Sequence, residues 1–394
     1  MTNLHFHGLS VSPERPQDDV LDMMAMPGSA LDYTLAIPRD HPPGLFWYHT
    51  HPHGESHQQV LDGMSGALII EGIERYAPAV RGISERVLVI RAADIGHDSN
   101  AQARLARADV ERSACNGSPD EAGGIDHVFT VNGVLRPEIE MQPGERQFWR
   151  IVNAASDRYV DIEIPHQRLD VVAYDGLPIA YHDPVRPTRS VDHVLLPPAG
   201  RVEAIVTADP RRGRAVLHTR CVDTGPDGDP NPGMILADIV FTPGAPPQPA
   251  DRSHAAPEAA FKIVDVEHVK QTAPAFTAIF TEGDHKFYIN GRLFSPDDAP
   301  MVRAKVGQFQ HWRIVNNSRE LHPMHIHQAH FLPFLENDQP IRDPQWLDTV
   351  NVPVGGSVDV VMDFTDPVIR GMSVFHCHLL NHEDKGMMAK ILFE

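Results

Sequence analysis

The chain has 394 residues, 53 acidic against 34 basic side chains, and a formal net charge of −19. That length allows two or three domains with cores of their own. So acidic a surface argues against nucleic acid or an anionic membrane as partner, since both are held by basic patches, and no run of roughly 18 apolar residues offers a membrane span.

The 35 prolines and 28 glycines punctuate many short apolar runs, the composition of an all-β chain rich in turns. Histidine is the oddity at 24 residues, and it is the commonest metal ligand. Residues 1–78 form a first β unit. Asn3–Gly8 alternates like a strand ending at a glycine, and a long loop with Asp18 and Asp19 follows. Tyr33–Pro38, Leu45–His51 and Gly66–Ile70 read as further strands. Successive strand side chains face opposite ways, so His5 with His7, and His49 with His51, each present two imidazoles on one face. At this histidine frequency roughly 1.5 His-x-His pairs arise by chance; the chain has five, counting His51 with His53. Past the strand, His53 and His57 lie in a polar Gly/Glu/Ser/Gln stretch and are expected to be solvated loop histidines.

Residues 79–243 read as a second β unit whose histidines show no two-residue pairing. It is expected to be structural, a spacer and wall without a metal of its own. Its acidic segment 95–126 is expected to be a mobile surface insertion. Residues 244–260 are rich in proline and read as a linker. A third β unit spans 261–394. "FTVNG" and "QFWRIVN" in the second unit return as "FYING" and "QHWRIVN" in the third, an internal repeat that gives the two units one fold.

In the third unit His325 and His327 share a face, and His322, set off by Pro323, can point elsewhere. The chain then reaches HCHLLNHEDKGMM, His376–Met388. On a strand, His376 and His378 lie on one face and Cys377 on the other, and the following loop brings His382 and Met387 to the cysteine side. Two imidazoles, with His322 as the second, one thiolate and a weak thioether make a blue-copper electron-transfer site. A buried thiol beside chance histidines is the plain alternative. Structural zinc fits poorly, because its four ligands converge whereas adjacent Cys and His on a strand diverge.

Four histidine clusters in the order HxH, HxH, HPxHxH and HCHxxxHxxxxM resemble the multicopper oxidase family, in particular the laccase-like group with three cupredoxin domains. HEDKGMM is similar to the bacterial members, which include spore-coat laccases and cuprous oxidases. The resemblance implies tandem cupredoxin-like Greek-key β-sandwich or barrel domains. It implies about four copper ions, one type 1, one type 2 and two type 3. The type 1 copper would take His322, Cys377, His382 and axial Met387. The type 2 copper would take His5 and His325. The type 3 pair would take His7, His49, His51, His327, His376 and His378. Donors oxidised one electron at a time, whether phenols, aromatic amines or metal ions, would supply a four-electron reduction of O2 to water. Glu383 and Asp18 are the candidate proton-handling acids, with a solvated loop acid as the alternative for Asp18. The family places such enzymes in the periplasm or outside the cell, although MTNLHFHGLS has no apolar signal region.

The chain departs from the family at its start, where His5 is the fifth residue and about half of the first cupredoxin domain is absent. Trp47, Leu68 and Ile69 are therefore expected to have lost strand neighbours, and Met1 is expected to be an internal start. If the cluster were broken, the chain would be an electron-transfer protein with only its type 1 site working. The methionine-rich insert of cuprous oxidases is missing, and Met23, Met24 and Met26 are expected to pack. Cys115 and Cys221 are left either as a disulfide or as two free thiols.

Overall fold

A computed structural model describes residues 1–95, 100–110, 126–209, 213–242 and 262–394. The architecture is all-β, with five sheets in three groups along the chain. His5–His7, Gly44–His49 and Ser65–Ile70 form a three-stranded antiparallel sheet in which His5 pairs with His49. Residues 84–241 build a seven-stranded and a five-stranded sheet, and residues 276–393 a six-stranded and a five-stranded sheet. Each pair of sheets closes over its own apolar core, one around Trp149 and one around Trp312.

The repeat read from the sequence occupies equivalent places. Arg146–Asn153 runs parallel to Ser84–Asp94 and antiparallel to Arg201–Thr207. Gln308–Asn316 runs parallel to Phe276–Gly283 and antiparallel to Ser357–Phe364. The closing asparagines are used alike: Asn153 Nδ2 donates to the carbonyls of Arg158 and Leu196, and Asn316 Nδ2 to those of Glu320 and Val352. Asn132-Gly133 and Asn290-Gly291 both have positive φ, the backbone that Asn-Gly accepts most readily. Each asparagine also accepts from a backbone N–H of a neighbouring strand, Val89 for Asn132 and Ile279 for Asn290.

The first sheet has only a small apolar cluster of its own, around Phe6, Leu9, Val11 and Phe46. Its other face packs on the second group through Leu45 and Trp47 against Val152, Ala154 and Ala199. Trp47 is therefore fully buried, and Leu68 and Ile69 are half-buried. Among the described residues no further strand pairs with this sheet, but Trp47 and Ile69 are covered by the adjoining unit, and Leu68 by the first unit's own cluster.

Other expectations differ from what is seen. Tyr33–Pro38 is not a strand: its backbone donors go to Pro16 O and to the Gln17 side chain, and the Tyr33 hydroxyl accepts from Leu4 N. Within the acidic segment, Ala101–Ala108 is a helix, and most of the remainder lies outside the described residues. So do the 244–260 linker and Cys115, and with Cys115 the question of its pairing with Cys221. Among the described residues no helix is long and apolar enough to cross a membrane.

Candidate metal centre

Strand register brings the last two histidine clusters together. In the antiparallel pair His322–Ile326 and Gly371–Cys377, His325 lies opposite His376 and Met324 opposite Cys377. Alternation then puts the histidines on one face and the cysteine on the other. The first sheet is laid against the histidine face. The His5 ring stacks on His327 at 3.6 Å and the His7 ring on His325 at 3.8 Å. His5, His7, His49, His51, His325, His327, His376 and His378 are all fully buried.

Five of these eight rings are held by one nitrogen. His5 Nδ1 lies 3.0 Å from the Asp18 carboxylate, and His7 Nε2 lies 3.1 Å from Asp348 Oδ1. His49 Nδ1 donates to Thr50 O, His325 Nδ1 to Asp348 O and His376 Nδ1 to Cys377 O. Carboxylates and carbonyls only accept, so these contacts fix the tautomers and leave a lone pair on each opposite nitrogen. His5 Nε2, His7 Nδ1, His49 Nε2 and His325 Nε2 are buried without a partner, as are both nitrogens of His378. His376 Nε2 sits 3.1 Å from His327 Nε2 and 3.4 Å from His51 Nε2. Converging unpaired lone pairs are costly in a dry interior. A cation among them removes that cost, and His5/His325/His327, His5/His7/His49 and His51/His327/His376 each bring ligand atoms within 4.8 Å of one another. Burial, reinforced by neighbouring imidazoles, holds His7, His49, His51, His325, His327 and His378 well below the ordinary histidine pKa. Neutral imidazole is the form that binds metal.

On the other face, Cys377 Sγ lies 3.5 Å from His322 Nδ1 and 3.9 Å from His382 Nδ1, and those two nitrogens are 3.3 Å apart. His322 Nε2 is met by Ser318 Oγ at 2.8 Å. The His382 ring stacks on Phe287 at 3.7 Å, and its Nε2 lies 3.4 Å from Glu320 Oε1. Met387 is fully buried in the same core as Cys377, and its carbonyl accepts from Cys377 N. Burial pushes the free Cys377 thiol well up, so a thiolate there needs a cation beside it.

The carboxylates expected near the cluster are both inside it. Asp18 is buried and accepts from Phe6 N and Gln328 Nε2 as well as holding His5. Its alternative as a solvated loop acid is overturned. Glu383 accepts from Ser56 Oγ at 2.9 Å and lies 3.6 Å from His51 Nδ1 and 3.1 Å from His376 Nδ1. Burial and the neighbouring Asp384 raise its pKa well above the carboxyl range.

His53 and His57 are partly buried and held in place, not free loop histidines. Both ring nitrogens of His53 are buried, its ring faces Phe294, and burial lowers its pKa to about 4. His57 sits on helix Ser56–Leu61 and bonds Asp157. Sequence reasoning passed over Asp348, Arg201, Asp175 and Gln328, which form the wall behind the rings. No local motif marks them, because each partner is distant in sequence.

Three multicopper oxidase family models match residues 1–75, 46–220 and 262–394. A laccase of Haloferax volcanii is 25% identical over 425 residues, covering 100% of this chain and 67% of the relative. A multicopper oxidase of Staphylococcus haemolyticus is 23% identical, covering 99% and 76%. Among solved structures, the McoA multicopper oxidase of Aquifex aeolicus aligns with a TM-score of 0.79 at 20% identity, covering 100% of this chain and 84% of that one. The chain belongs to the multicopper oxidase family. It is accordingly a copper-dependent oxidoreductase of cupredoxin fold.

Proposed function

We propose that this oxidase takes electrons singly from phenolic, aromatic or metal-ion donors at the Cys377 site and delivers them to O2 at the histidine cluster. The observation that carries the reading is the set of buried imidazole nitrogens left without protein partners on the far side of the strand that bears Cys377. Bound copper supplies one-electron redox chemistry at the thiolate and four-electron reduction of O2 to water at the cluster.

We assign His322, Cys377, His382 and Met387 to the type 1 ion. His5 and His325 go to type 2, and His7, His49, His51, His327, His376 and His378 to the type 3 pair. The domains divide as 1–78, 79–243 and 261–394, with 244–260 as linker. The short route between the two sites is internal to the strand: the Cys377 carbonyl accepts from His376 Nδ1 at 2.9 Å. Glu383, tied to Ser56 and facing His51 and His376, holds a proton beside the cluster. Asp18 orients His5 and is bonded to Gln328, which lines a cleft of about 420 Å³ together with Ser10, His41 and His330. The Asp18 carboxylate, bonded to a ring of the cluster, is the second proton-handling group in this reading.

The test is copper content per chain after loading, measured with O2 uptake on a phenol and on cuprous or ferrous ions. About four ions with donor-dependent O2 uptake supports the reading. About one ion, coloured but without O2 uptake, sinks it and leaves an electron-transfer protein.

A further inference from the structure

The second unit brings no paired histidine to the cluster, yet one of its side chains reaches the cluster wall. Arg201, fully buried at the start of strand Arg201–Thr207, grips Asp348 with both arms of its guanidinium, at 2.9 and 2.7 Å. It also donates to the carbonyls of Ala199 and Leu45. Asp348 then meets two rings from opposite ends of the chain. Its Oδ1 faces His7 Nε2 at 3.1 Å, and its backbone carbonyl accepts from His325 Nδ1 at 2.8 Å. These are the two rings that stack on each other at 3.8 Å. Behind them Asp175 accepts from Arg201 N at 2.8 Å and from Asp348 N at 3.1 Å, buckling the two backbones together. The fit is close enough that a Cβ on Gly8, which has a φ of +84°, would collide with both the Arg201 guanidinium and the Asp348 carboxylate.

The hydrogen bonds demand opposite tautomers. His7 must carry its proton on Nε2, leaving Nδ1 toward the cluster; His325 must carry its proton on Nδ1, leaving Nε2. One residue imposes both choices, and Arg201 holds that residue. The same strand face offers an internal comparison. Two positions along, Glu203 pairs with Arg150 and accepts from Leu45 N, and its bonds go to no cluster histidine. The Arg201–Asp348 pair joins the second and third units and is bonded to the rings; Glu203 pairs within its own unit, reaches the first only through Leu45 N, and is bonded to no ring.

We propose that Arg201 is a positioning residue of the histidine cluster, fixing through Asp348 the tautomer and tilt of His7 and His325. The unit without ligands thereby sets the geometry of a site shared by the other two. The inference rests on reading the cluster as the copper site. Partners that orient a metal-bound histidine contribute about 10–100-fold to metal affinity, and the planar fork of arginine is not replaced by lysine.

The test compares the full chain with Arg201→Lys, Asp348→Asn and Glu203→Gln. Copper affinity, the visible thiolate–copper band, paramagnetic resonance and melting temperature are read for each. In Asp348→Asn one side-chain position becomes an NH2, which sets donor against donor at either His7 or Arg201. The expected result for Arg201→Lys and Asp348→Asn is an unchanged thiolate band, cluster copper bound about 10–100-fold more weakly, and an altered resonance from the remaining cluster copper. Glu203→Gln is expected to melt lower with wild-type copper content and spectra. The proposal is overturned if the first two variants only melt lower, or if Glu203→Gln weakens cluster copper equally. A wild-type chain that binds copper only at the thiolate would overturn the copper reading of the cluster and this inference together.

Discussion

Two sites lie back to back across strand Gly371–Cys377, and they are held in different ways. The cysteine site draws all its residues from His322 to Met387, on neighbouring strands and the turn that follows, inside one apolar core. The histidine cluster draws rings from residues 5–51 and 325–378, and its braces Asp18, Arg201 and Asp348 come from all three units. A site assembled within one core inherits that core's rigidity. A site at a junction needs charge to align its parts, because apolar packing tolerates small slides that a metal geometry does not. This explains why the junction carries so many fully buried polar groups, each of which costs free energy unless it is paired.

The largest expected effect separates the two sites cleanly. Cys377→Ser replaces a soft thiolate by a hydroxyl that is a poor ligand for this chemistry. The visible band should vanish and donor-driven O2 uptake should fall to the blank, while about three of about four copper ions still load. Loss of the cluster copper as well would show that the two sites fold as one and would break the comparison.

A smaller effect belongs to the cluster alone. Glu383→Gln keeps the acceptor for Ser56 Oγ but removes the transferable proton. Positioned acids of this kind contribute about 10²–10⁴-fold, so kcat should fall by that order with copper content and thiolate colour unchanged. If copper is lost in proportion to activity, Glu383 is a brace like Asp348 and proton delivery lies elsewhere.

What could be read in the sequence follows the same division. His-x-His and His-Cys-His are legible because strand alternation turns a two-residue spacing into a shared face, and the repeated "WRIVN" announces two units of one fold. The braces are not legible. Arg201 begins an ordinary apolar strand and Asp348 stands in an unremarkable "LDTV"; only the assembled sheets bring them together. The stretch around His53 and His57 looks like a solvated loop. It becomes a helix because Asp384, more than 300 residues on, accepts from the backbone N–H of Ser56 and His57. Tyr33–Pro38 has the pattern of a strand but finds no strand to pair with. In each case the decisive partner is distant along the chain.

That helix also gives the smallest prediction, a pH dependence confined to the junction. His57 Nε2 bonds Asp157 at 2.9 Å, tying Ser56–Leu61 to the second unit. The Asp157 hydrogen bond raises the His57 pKa against the opposing effect of burial; the charges of Asp157 and Asp384 add to the rise and Arg158 subtracts from it. A raised histidine contributes stability fully below its unfolded pKa of about 6.5 and loses it as pH climbs through the folded value. For Asp157, burial opposes ionisation, but the His57 hydrogen bond and the Arg158 charge carry its pKa below the carboxylate range. Its contribution is therefore present above about 3.9 and fades as pH falls below that. The pair is strongest between about pH 4 and the raised pKa of His57. Part of the His57 ring meets solvent, so the effect is expected to be about 1 kcal/mol or less. His57→Gln should lower the melting temperature more at about pH 5.5 than at about pH 8.5, with the thiolate band unchanged at both. No gap at either pH would mean that the helix is held by the Asp384 bonds alone, and a gap that stays constant with pH would mean that His57 holds Asp157 equally well neutral and charged.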